Sequence, residues 1–135
     1  MALNFTNEQI SQYFNSNIEK FKKSYSENKF FKKIIDVAKK AGAKVVYSAF
    51  RIFYTLTLGN LSVSDKLIVT AALGYFITPI DLIPDFMSVV GLTDDFIVLT
   101  YVNSKIEDYI TPEIDLMARE QVIKYFGQVN FEELK

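Results

Sequence analysis

Apolar positions along the chain recur at helical spacing. Ile10, Phe14, Ile18 and Phe21 form a stripe that starts after Thr6 and fades near Lys23. Thr6 with Gln9 three residues on reads as a capping box for that first helix. A second stripe, Phe30, Phe31, Ile34, Ile35 and Ala38, predicts a helix over 26–41. Its other face carries Lys29, Lys32, Lys33, Asp36, Lys39 and Lys40, and Gly42 follows where a helix commonly ends in left-handed backbone. A third helix is expected over 43–58, with Val46, Phe50, Phe53 and Leu56 inward and Gly59-Asn60 as its stop.

The fourth, from Ser64 to Ile77, has Asp65 in its first turn and is apolar almost all round, the pattern of a central buried helix. Thr78-Pro79 ends it, because the residue before proline is pushed out of helical backbone. A connector with Pro79, Pro84 and Gly91 leads to a fifth helix. It is expected to start at Thr93, with Asp94 and Asp95 in its first turn and a stripe at Phe96, Leu99, Val102, Ile106 and Ile110. Thr111-Pro112 caps a sixth helix, which Gly127 closes, leaving the last eight residues as a loose tail. The expected fold is all-α, a compact bundle of five to six helices around a central buried helical hairpin. One domain is expected over 1–135, divided into N-terminal basic helices (6–60), the core hairpin (61–110) and a C-terminal helix (111–127).

Composition narrows the chemistry. The 135 residues contain neither Cys nor His. That excludes disulfides, thiolate or imidazole zinc sites, and Ser-His-Asp catalysis. A resident metal would have to be a hard cation on oxygen ligands, Mg²⁺ or Ca²⁺. The N-terminus carries no secretory signal pattern, and the uncharged run from Leu67 to Ile80 is shorter than the roughly 20 residues of a spanning helix. The expectation is a soluble cytoplasmic chain, with membrane association left open. A re-entrant hairpin over 67–102 is the alternative, costly for Asp94 and Asp95 unless they sit at the interface.

Charge changes the picture further. Residues 1–51 hold 10 Lys/Arg against 4 Asp/Glu, and the remainder holds 5 against 12. The Lys29, Lys32, Lys33, Lys39 and Lys40 face is a candidate surface for an anionic membrane or partner. A solvated helix face is the plainer reading. Nucleic acid is disfavoured by the acidic balance of the whole chain and by the lack of a recognised motif.

Asp81, Asp85, Asp94 and Asp95 are the densest chemical feature. Nearly no other charge stands between Lys66 and Lys105. Carboxylates in apolar surroundings need a partner, a hydrogen-bonding end of a helix, or a cation. Capping of local turns and helix starts accounts for each of them, with Lys66 or Arg51 as ion-pair partners. Convergence on Mg²⁺ or Ca²⁺ is the alternative, although the spacing is not that of an EF-hand loop.

The run from Tyr75 to Asp95 resembles the signature of the YkvA-like family, a bacterial domain of unknown function. Tyr75, Thr78, Pro79, Asp81, Leu82, Ile83, Pro84, Asp85, Gly91, Asp94 and Asp95 match its pattern, and Ser88 stands where the family usually has proline. The resemblance covers roughly 61–101. It implies a helical hairpin of unknown biochemical role, often predicted to be membrane-associated. Taken together, the expectation is a non-enzymatic interaction module, peripheral to a membrane or bound to a protein partner. A cation-binding protein or metal-dependent enzyme built on the four aspartates is the competing class.

Overall fold

The computed structural model describes residues 7–78 and 88–134; for Asn7 and for 88–95 only the backbone is described. Among these residues the chain forms seven α-helices, one 3-10 turn and no strand. The helices are α1 (Asn7–Ser16), α2 (Ile18–Ser24), α3 (Glu27–Leu58), α4 (Val63–Ile77), α5 (Ser88–Ile106), α6 (Pro112–Phe126) and α7 (Phe131–Leu134). The all-α bundle expected from the periodicity is the observed class.

The first stripe is two helices rather than one. Backbone at Asn17 leaves helical values (φ −126°, ψ 24°), and the Asn17 amide donates to the Tyr13 carbonyl at 2.8 Å, so the side chain takes the place of the next turn's backbone donor. The hydrophobic spacing survives the break: Ile10, Phe14 and Phe21 are buried.

Gly42 separates the second and third stripes within α3. It has φ 83°, ψ 170°, a conformation that glycine adopts without steric penalty. Ser26 caps the first limb by accepting from the Lys29 amide at 3.1 Å. Phe30, Ile34 and Ala38 of that limb are buried, as are Val46, Phe50 and Phe53 of the limb after Gly42. Ile35 departs from expectation: it is 66% exposed. At 100° per residue Ile35 falls on the edge of the stripe, away from the buried line of Phe30, Ile34 and Ala38.

α4 is the buried helix that its composition suggests. Val69 and the whole run Ala71–Phe76 are buried. Its cap is Ser62, whose hydroxyl accepts from the Asp65 amide at 3.2 Å. α2 lies directly on it. A Cβ placed on Gly74 would sit 1.7 Å from the Phe21 carbonyl oxygen, so the two backbones approach closer than any side chain allows. Phe21 and Phe14 then pack on Tyr75, with ring centroids 4.9 and 5.9 Å from it. A second aromatic group joins the limbs of α3 to α4: Phe30 stacks on Phe53 at 4.7 Å, and its centroid is 5.9 Å from that of Phe76.

α5 contributes Val98, Leu99, Val102 and Ile106, and α6 contributes Ala118 and Val122, to the same hydrophobic cluster. α5 begins at Ser88, not Thr93, so Gly91 is inside the helix and no acidic residue occupies its first turn. An interior glycine costs a helix only about 1 kcal/mol, less than the burial of the α5 stripe returns. Thr111 caps α6 as expected, accepting from the Ile114 amide at 3.2 Å, and Gly127 closes it at φ 74°. The last residues are not a loose tail. Asn130 accepts from the Glu132 amide at 3.0 Å and starts α7, and Phe131 is packed against Tyr47.

Candidate functional site

Of the signature residues, Tyr75 and Thr78 are described with their side chains and are parts of the fold, while Gly91, Asp94 and Asp95 are described by backbone alone. Tyr75 is a fully buried ring between α1, α2 and α4. Thr78 ends α4, its hydroxyl donating to the Gly74 carbonyl at 2.6 Å and its amide to the same oxygen at 3.0 Å. Pro79, Asp81, Pro84 and Asp85 lie outside the described residues. Asp94 and Asp95 are on α5 past its first turn, which removes the expectation that they face the free amides at its start. Among the described residues no group of His, Cys, Asp or Glu gathers as a cation site.

The lysine face is on the first limb of α3. Lys29, Lys32, Lys39 and Lys40 are exposed. Lys33 is half-buried, with its ammonium 5.5 Å from the Phe76 ring centroid, so its charge serves the bundle as well as the surface. Asp36 is the one acidic residue of the face and is exposed. Ile35, the exposed apolar residue, lies beside Lys32 and Lys39 at helical spacing. α2, just upstream, adds exposed Lys20, Lys22 and Lys23. Local sequence builds this surface: the apolar stripe fixes which side of the limb faces the core, and the lysines fall opposite.

A second polar group was not singled out by the sequence. Tyr47, 1% exposed, donates its phenol hydrogen to Asp115 of α6. Arg119 donates to the other oxygen of Asp115 at 2.8 Å. Arg51 approaches Asp115 at 3.5 Å, and its buried Nε has no hydrogen-bond partner. Two guanidinium groups thus share one carboxylate. Burial and the bond to Asp115 raise the Tyr47 pKa above its ordinary value. Arg51, with Lys66 an expected ion-pair partner for the four aspartates, lies beside Asp115; Asp81 and Asp85 are outside the described residues. The signal available in the sequence was the Asp115–Arg119 spacing of four residues on one helix.

The profile of a family described as "Protein of unknown function (DUF1232)" matches residues 65–101, which fall within α4, the connector and α5. Neither a curated protein nor a solved structure matches the chain at a significant level. No helix among the described residues is long and apolar enough to cross a membrane.

Proposed function

We propose that the chain is a non-enzymatic interaction module that binds peripherally to an anionic membrane through the first limb of α3. The hairpin of α4 and α5 is its YkvA-like core, a reading supported by the family match over 65–101 together with the motif from Tyr75 to Asp95. One observation carries the functional reading: Lys29, Lys32, Lys39 and Lys40 are exposed beside an isoleucine that is 66% exposed. Lysines attract anionic headgroups at about 1 kcal/mol each near the surface, and an exposed apolar side chain among them enters the headgroup layer. The chain offers no Cys or His for catalysis, and a lysine stripe is a contact surface rather than a reaction centre.

Co-sedimentation with vesicles of phosphatidylcholine containing phosphatidylserine tests this. Binding is expected at low salt, falling as ionic strength rises. Lys32→Gln with Lys39→Gln is expected to weaken it by about 2 kcal/mol, roughly 30-fold. Equal binding to neutral vesicles, or no binding at low salt, contradicts the proposal.

A further inference from the structure

The group around Asp115 has a feature that the membrane reading leaves unused: it is a socket, and the chain's own C-terminal segment fills it. Phe131 is the plug. Its ring centroid is 5.3 Å from that of Tyr47, nearly edge-on at 62°, and the Arg119 guanidinium lies 4.8 Å from the Phe131 centroid. The floor is Tyr47, held by Asp115, with Arg51 5.3 Å from the Tyr47 ring centroid. The walls therefore offer the Tyr47 ring and the Arg119 guanidinium, a combination that receives an aromatic side chain by edge packing and cation–π attraction.

The charge of the socket points to the rest of the occupant. Arg51 and Arg119 bring two positive charges and Asp115 returns one, leaving an excess of cation at a partly buried place. The segment seated there reads Phe131-Glu-Glu-Leu134, an aromatic residue followed by two carboxylates. α7 is a single turn, reached from α6 through Gly127 at φ 74° and the exposed residues Gln128 and Asn130. Phe131 itself remains only half-buried. A turn of that length has little helical stability of its own, so its place depends on its packing, by Phe131 together with Val129 and Leu134.

We propose that the α3–α6 socket of Tyr47, Arg51, Asp115 and Arg119 is a docking site for short aromatic–acidic peptide segments, occupied in cis by α7 and open to a partner segment of the same chemistry when α7 leaves. A competing segment must displace Phe131, so the cis contact sets a threshold on affinity, and loss of the plug lowers it.

The test uses the full chain and a fluorescein-labelled synthetic peptide covering 127–135, read by fluorescence anisotropy. The full chain with Phe131→Ala is expected to bind the peptide at least tenfold more tightly than the unaltered chain. Adding Arg119→Gln to Phe131→Ala is expected to remove most of that gain, and a peptide with Phe131→Ala is expected not to bind. Equal affinity for the unaltered chain and the Phe131→Ala chain, or absence of binding to a Phe131→Ala chain whose circular dichroism is unchanged, overturns the proposal. If Phe131→Ala unfolds the chain, excess unlabelled peptide added to the isotope-labelled unaltered chain provides the second reading. Amide shifts confined to α7 and the residues around Tyr47 and Asp115 support displacement, and an unchanged spectrum at millimolar peptide overturns it.

Discussion

At the scale of single residues, the fold turns on contacts that side-chain type alone does not announce. Gly74 is the sharpest. Any Cβ there meets the Phe21 carbonyl at 1.7 Å, so Gly74→Ala must push α2 off α4. The expected loss is about 3 kcal/mol or more, the upper end for overpacking, measured by urea unfolding. A loss below about 1 kcal/mol would mean that α2 is not seated on α4 as described. Ile35→Ala, by contrast, is expected to change stability by less than about 0.5 kcal/mol, because its side chain is in solvent. Two tyrosines offer a reading of burial. The Tyr25 phenol is pushed up to about 12, by burial first and then by the Glu27 charge, and Tyr47 is raised by burial and by its bond to Asp115. Both are raised relative to an unfolded phenol near pH 10. The stability they contribute is thus fully present below about pH 10 and is lost as pH climbs through their folded values. Alkaline titration of tyrosinate absorbance is expected to show a late component that Tyr25→Phe and Tyr47→Phe each reduce; an unchanged late component contradicts their burial.

At the scale of elements, most helices were legible because their signals are local. Ser26, Thr111, Gly42 and Gly127 act where their chemistry predicts, as hydroxyl caps and left-handed glycines. Thr111→Ala is therefore expected to cost about 1 kcal/mol by thermal or urea unfolding, and no change would mean that the cap bond is idle. The misreadings share a cause, which is that tertiary packing decides where a local signal is weak. Gly91 reads as part of the connector, yet α5 runs through it from Ser88. Asn17 gave no strong signal, yet it divides the first stripe. Phe131 follows a glycine in a short polar tail, and only α3 and Arg119, distant in sequence, show why it is held. The lysine face was legible for the opposite reason: an amphipathic limb with five lysines has one side to bury.

At the scale of the whole molecule, charge and core are arranged separately. The central helix α4 packs against α2, α3 and α5, and within the interval matched by the family profile it buries the run Ala71–Phe76. Of the described signature residues, Tyr75 packs α4 against α1 and α2, and Thr78 closes the end of α4. The basic limb of α3 is on the outside, which is what a surface contact needs. Four aspartates of the signature drew attention in the sequence, but the resemblance that they carry points to a core whose described residues build structure. The candidate contact surface is elsewhere, on lysines outside the matched interval. The proposal that follows from that separation is that the bundle serves as a scaffold and the first limb of α3 is the face for an anionic bilayer.

The chain has no cysteine, so a single introduced one can carry a probe without competition. An environment-sensitive fluorophore on Ile35→Cys, mixed with phosphatidylserine-containing vesicles at low salt, tests that claim most directly. Leu116→Cys on α6, where the native leucine is 55% exposed, is the reference position. The account predicts a blue shift and rising intensity at position 35, reversed by high salt, with no change at position 116. Equal response at both positions, or none at position 35 while the protein sediments with the vesicles, would contradict it.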